Sequence, residues 1–335
     1  MPVDRTIKAS LGTLVALGLR DVKLDAFPTT LYLMVSEKCM YSCAYCPQSK
    51  ASLGSSYEKL SRVPWPEVDW EILKKAIIQK PDFVKRMCFQ VVNGKNYFEN
   101  LLYFMQSLKE AFPDNSNLPI SVSIRPKDLS EVETIFQAGA ERVGIPIDSV
   151  SESLFPKIRG GSFKAYLDLI LESARKFKGH VTTHLIVGLG ESDREIFNAM
   201  KLFYDNSITV ALFSFTPVSG TPLAQSKPPA LARYRRIQLM RFLFQAGYAN
   251  SLSFNFADDG TLVSIFTDLS TDEIYRLISS PGIFMTSGCH NCNRPYYNET
   301  PTGPMYNYPF VPNDTQKLID VFIEKIENER IYFRK

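Results

Sequence analysis

TLYLMVSEKCMYSCAYCPQSK, residues 30–50, runs from an apolar, β-branched stretch straight into three cysteines within eight positions: Cys39, Cys43 and Cys46, with Tyr45 directly before the last. Three thiols can neither close a tetrahedral zinc site by themselves nor pair off as disulfides. They do suit a cubane of four irons and four sulfides, which takes one protein ligand per iron and is then left with one iron open. A zinc site completed from elsewhere in the chain, or reduced cysteines holding nothing, are the alternatives.

Working outward, short apolar runs like residues 30–37 recur at 86–92, 119–125, 142–148, 180–188 and 209–218, with amphipathic helical patterns between them and after the last. The alternation predicts an α/β fold with a parallel sheet and right-handed crossovers, a partial (βα)6 TIM barrel as readily as a doubly wound sheet. In both, chemistry gathers at the carboxyl ends of the strands, where the cysteine stretch lies. The divisions expected are an N-terminal segment over 1–28, the barrel over 29–250 and a C-terminal extension over 251–335 that ends in a helix. Aromatic residues recur through the extension, which argues for packing over disorder.

The 335 residues are 45% hydrophobic, and the 38 basic and 35 acidic residues, net +3, are interspersed. No single-sign field of the kind nucleic acid requires is present, and no run approaches the roughly 20 apolar residues of a membrane span. The amino terminus has no signal-peptide pattern, so a cytoplasmic protein is expected. In a reducing compartment clustered cysteines point to metal or redox chemistry.

CxxxCxxC with an aromatic before its last cysteine, after the first strand of a partial barrel, resembles the signature of radical S-adenosylmethionine (SAM) enzymes. Over about residues 30–225 the chain is similar to biotin synthase and its relatives: CAYCPQS, HLIVGLGES in the place of GxIxGxGE, and SGTPLA. The resemblance implies a [4Fe–4S] cluster on Cys39, Cys43 and Cys46 whose open iron chelates SAM, and an electron donor such as ferredoxin or flavodoxin. It implies that Tyr45 packs on the adenine side, that Ile186 meets adenine with Gly188 in the same stretch, and that Asn93 and Gly94 bind the amino group. Ser123 and Arg125, which share a strand face, would meet the carboxylate or ribose; the alternative is an ordinary strand end. His184 stands where the family has glycine.

Biotin synthase itself holds a second, sulfur-donating cluster on three cysteines and an arginine. Only Cys88 aligns with one of those cysteines; Ser123 or its neighbour and Thr182 fill the other two positions, and a residue near Ser251 fills the arginine's. The chain offers instead Cys289 and Cys292, a CxxC in a turn-rich loop. With Cys88 they make three again, provided the extension folds over the barrel mouth. The reading is an auxiliary [4Fe–4S] cluster, with Ser287, His290 and Arg294 as candidates for a fourth ligand. A zinc knuckle, a redox dithiol or a structural loop with Cys88 merely buried are the alternatives.

The stretch GCHNCNRPYYNETPTGPMYNYP resembles the tail of archaeal-type two-component lipoyl synthases. That implies a sulfurtransferase acting on an octanoyl chain carried on a lysine of a lipoyl carrier domain, together with a second subunit; the alternatives are another biotin synthase-like radical SAM enzyme, catalysing a rearrangement or methylthiolation, or a non-catalytic metal-binding scaffold. Other expectations follow from single residues. Arg233, Arg236 and Arg241 read as a solvated helix face or a docking patch, Tyr296, Tyr297, Tyr306 and Tyr308 as an apolar lid or core, and Asp148 as an inward group or a helix start.

Overall fold

The six parallel strands that the apolar runs predict all form in the computed structural model of the chain, which describes residues 5–36, 38–54, 58–112, 118–248, 252–267, 269–299, 302–328 and 332–334. Glu37, which the first predicted strand includes, and Ser251 lie outside the described residues. In chain order the elements are β1 (Thr6–Ala9), α1 (Leu11–Ala16), β2 (Thr30–Val35), β3 (Lys59–Leu60), β4 (Val63–Pro64), β5 (Glu67–Asp69), α2 (Trp70–Ile78), β6 (Arg86–Val91), α3 (Tyr97–Ala111), β7 (Ile120–Ser123), α4 (Leu129–Gln137) and β8 (Arg142–Gly144). There follow α5 (Phe155–Ile158), α6 (Phe163–Lys176), β9 (Val181–Val187), α7 (Asp193–Asp205), β10 (Thr209–Ser214), α8 (Leu231–Gln245), β11 (Leu252–Phe256), β12 (Leu262–Thr267), α9 (Thr271–Ile278), α10 (Thr315–Asn328) and β13 (Tyr332–Arg334).

Strands β2, β6, β7, β8, β9 and β10 lie side by side in sequence order and parallel, and helices cross between them. This is a partial TIM barrel. The sheet continues past β2 into β1, antiparallel to β2, and β5, antiparallel to β1, both unread in the sequence because they are short. Strand alternation explains the layering: Leu31, Leu33, Met87, Phe89, Val122, Leu185, Val187 and Leu212 are buried between sheet and helices. Each such burial contributes about 1.5–3 kcal/mol. The intervening residues Tyr32, Cys88, Gln90, Ser123, Thr182, His184, Ile186, Ala211 and Phe213 line the barrel interior.

Side chains placed at helix starts set the crossovers. Asp69, Asp128 and Ser162 accept hydrogen bonds from the first-turn N–H groups of α2, α4 and α6, and Ser192 forms a capping box with Glu195 at α7. Helix α8 corrects a sequence expectation. Its arginines form neither a solvated face nor a docking patch: Arg233 pairs with Glu191 and Asp193, Arg236 lies 3.5 Å from Asp193, and Arg241 is buried against Gln245 and the Gly282 carbonyl. An alternating charge pattern cannot reveal that acidic partners from the α7 start will cover a helix.

Strands β11 and β12 form a hairpin that reaches the α7 N-terminus, where the Arg194 N–H donates to the Gly260 carbonyl at 2.9 Å. Among the described residues no helix is long and apolar enough to cross a membrane.

Candidate functional site

The loop after β2 is folded against its surroundings by backbone bonds, which leaves its thiols to face inward. Cys39 N–H donates to the Gln48 carbonyl and Met40 N–H to that of Asn93, each at 2.9 Å; Ala44 N–H reaches Ile158 at 2.8 Å, and Leu223 N–H donates to Ala44 at 3.1 Å. Cys39, Cys43 and Cys46 all line one cavity of about 580 Å³ in the barrel interior. Burial pushes the Cys39 and Cys46 thiols up, and the neighbouring cysteines add to it, so the group ionises readily only against added positive charge. A metal cluster would bring that charge. No three His, Cys, Asp or Glu side chains among the described residues converge tightly enough for a single ion, whereas a cubane spreads its ligands over separate irons.

Behind Cys43 stands a buried network. Arg159, just after α5, donates to Cys43 Sγ at 3.5 Å and to the Tyr45 hydroxyl at 2.9 Å, and lies 2.9 Å from the Asp148 carboxylate. Tyr45 in turn donates to Asp148. Burial alone would weaken the charge on Arg159; Asp148 leads the groups that outweigh it and hold the guanidinium above its ordinary range. Asp148 does face inward, at φ +59°. Arg159 escaped sequence reading, because an arginine in KIRGG carries no pattern.

The other residues singled out in the sequence separate. Tyr45, Asn93, Ser123, Arg125 and Ile186 line the cavity; Gly94 and Gly188 do not. Gly94 N–H bonds to the Val92 carbonyl at 2.7 Å. Gly188 answers to backbone demands: φ is +106°, a Cβ would stand 2.9 Å from Pro229, and its N–H donates to Glu191 at 2.8 Å. Arg125 Nη1 and Nη2 donate to the Arg159 and Gly160 carbonyls at 2.9 Å, and the guanidinium carbon lies 3.9 Å from the Tyr41 ring centroid. Asn93 Nδ2 donates to the Arg125 carbonyl at 2.8 Å.

Cys88, Cys289 and Cys292 come together, but at the opposite end from the one expected. Cys88 is the third residue of β6, beside Tyr32 and Ser121. Arg86, which begins β6, donates to the His290 carbonyl at 2.9 Å; Thr29 bonds to Asn291 and Asn293, and Tyr32 Oη lies 3.2 Å from Cys292 Sγ. The extension therefore enters at the amino ends of the strands and goes on to reach the mouth, where Asn298 bonds to Ser61 and Thr216. From there it climbs along β10. Ser287 Oγ accepts from Leu212 N–H, Arg294 lies 4.1 Å over the Phe213 ring, Tyr297 packs on Phe213, and Asn298 Nδ2 donates to Thr216 at 3.0 Å. Residues 287–298 thus run from β10 to the Tyr32 side chain of β2.

All six cysteines line the same cavity. Burial raises Cys88, and nearby Cys289 and Cys292 raise it further, the same crowding as in the upper trio. Of the candidates for a fourth ligand, only Arg294 lines the cavity; Ser287 is occupied by Leu212, and His290 is exposed. The four tyrosines split: Tyr296 and Tyr297 line the cavity, while Tyr306 is buried against Tyr234 and Tyr308 packs on the core.

The family description that matches the chain is the radical SAM superfamily, over residues 33–203, about half of the sequence. The chain belongs to the radical SAM superfamily. Radical SAM proteins are enzymes that use a [4Fe–4S] cluster and SAM, and the inward-facing trio on the β2 loop is a donor set that fits such a cluster. Among solved radical SAM structures, methylornithine synthase (PylB) superposes with a TM-score of 0.52 at 15% identity, covering 91% of this chain and 83% of that one. HydG, a maturase of the [FeFe]-hydrogenase, gives 0.51 at 9% identity over 88% of this chain; the chain spans 62% of HydG's length. At these identities the likeness is one of fold. No curated protein matches in sequence.

Proposed function

We propose that this radical SAM protein inserts sulfur at an unactivated carbon of an octanoyl chain carried on a lysine of a lipoyl carrier domain, as one component of a two-component lipoyl synthase. The observation that carries the proposal is that two trios of thiols, Cys39/Cys43/Cys46 and Cys88/Cys289/Cys292, open into a single cavity from opposite ends of the strands. One trio suffices for SAM chemistry alone; a second is what a sulfur donor requires.

When bound, the two clusters and SAM would supply C–H activation at the upper end and sulfur at the lower. The chain's own residues hold and shield these groups. Arg159 and Asp148 steady Cys43 and Tyr45 behind the upper trio. Tyr32, Gln90 and Ser121 hydrogen-bond the sulfurs of the lower trio. Phe213, Phe215, Ile186 and Tyr297 make the passage between them apolar, which suits a hydrocarbon chain and excludes water from reactive species. A single-electron donor, a carrier domain and a second subunit are the partners this reading requires.

Anaerobic reconstitution tests it. About eight irons per chain are expected, against about four for one cubane. With reductant, SAM and the partner subunit, an octanoylated carrier peptide should gain the mass of sulfur inserted as a thiol while deoxyadenosine accumulates. Deoxyadenosine without any mass gain would remove the sulfur-insertion reading and leave the family assignment standing.

A further inference from the structure

His184 occupies the middle of the barrel interior. On β9 the residues Thr182, His184 and Ile186 face the cavity in turn. The imidazole reaches toward β8, where a Cβ on Gly144 would stand in ordinary contact, 3.6 Å from His184 Nε2. Its ring packs on Phe213, centroids 5.0 Å apart. Its register partner on β10 is Ala211, and against Ala211 lies Gly288, whose added Cβ would be 3.0 Å from that of Ala211. Cys289 follows directly, so the CxxC loop enters the barrel one strand away from His184.

The ring has no hydrogen-bond partner among the described residues. Burial, with Arg294 and Arg159 adding to it, lowers its pKa to about 3, so the imidazole is neutral and keeps a lone pair for a metal. The competing groups around the lower trio are otherwise engaged. The Tyr32 hydroxyl accepts from Arg294 N–H at 3.1 Å and is held protonated by burial and by Cys292; Ser121 Oγ accepts from Arg86 and donates to Cys289; the Gln90 amide donates to Cys88 at 3.0 Å.

We infer that His184 is the fourth protein ligand of the metal centre held by Cys88, Cys289 and Cys292. The assignment rests on the two-centre reading above. It makes the lower centre fully protein-ligated, unlike the upper one, whose fourth position is left for SAM.

The test uses the full chain with Cys39, Cys43 and Cys46 replaced by alanine, so that any reconstituted iron belongs to the lower trio. Pulsed electron paramagnetic resonance of the reduced centre should show strongly coupled nitrogen, and labelling histidine with nitrogen-15 should change the coupling. The chain has three histidines; with His180→Asn and His290→Asn the coupling should persist, because His184 alone remains. His184→Ala should lose the coupling and most of the iron, and His184→Cys should restore the iron without the coupling. Full iron without histidine coupling would overturn the assignment of His184 alone. No iron on the background variant would overturn it together with the two-centre reading.

Discussion

Arg159 and Asp148 form a buried ion pair, 2.9 Å apart, directly behind the upper cysteines. Removing one partner leaves the other charge uncompensated in a low-dielectric setting. Arg159→Met should therefore cost about 3–5 kcal/mol in urea unfolding, and the double variant Arg159→Met/Asp148→Asn should cost less than Arg159→Met alone. If the two effects simply add, the pair is not coupled as its geometry requires.

The two trios should separate by function. Cys43→Ala is expected to abolish deoxyadenosine formation and to lower iron by about four per chain. Cys292→Ala should lower iron by a similar amount but keep deoxyadenosine formation, read by chromatography after an anaerobic incubation with reductant and SAM.

Gly188 combines a left-handed φ of +106° with a backbone that Pro229 crowds. Gly188→Ala should destabilise the fold by about 1–3 kcal/mol, measured as a lower urea midpoint at unchanged slope. Gly139→Ala, also at positive φ but with nothing within 4 Å of its added Cβ, should cost less.

Glu191 offers a pH test away from the thiols. Burial raises its pKa although the Gly188 N–H and Arg233 favour the anion. The folded state then holds this proton more tightly than the unfolded chain. Its contribution is greatest below the ordinary glutamate value of about 4.3 and falls as pH rises through the raised folded value. Relative to Glu191→Gln, the unmodified protein should therefore lose stability as pH increases across that window. An equal pH slope for the two proteins in urea unfolding would contradict this.

The helix after β10 shows where local pattern ceases to inform. The charges of Arg233, Arg236 and Arg241 suggested solvent, yet Asp193, Glu191 and Gln245 receive them. The partners of Arg233 and Arg236 lie about 40 residues away in the chain. Arg125 was legible as an inward residue, but not the Arg159 and Gly160 carbonyls that take up its fork.

By itself the sequence determined the six parallel strands and the upper trio, because strand periodicity and a short cysteine spacing are local and survive any arrangement of the rest. Only the tertiary structure decided that the extension climbs along β10 from the amino end of the barrel, bringing Cys289 and Cys292 to Cys88 about 200 residues distant. The sheet ends at β10 on one side and at β5 on the other, and the segment that packs against β10 is selected by contacts and hydrogen bonds spread across the whole chain.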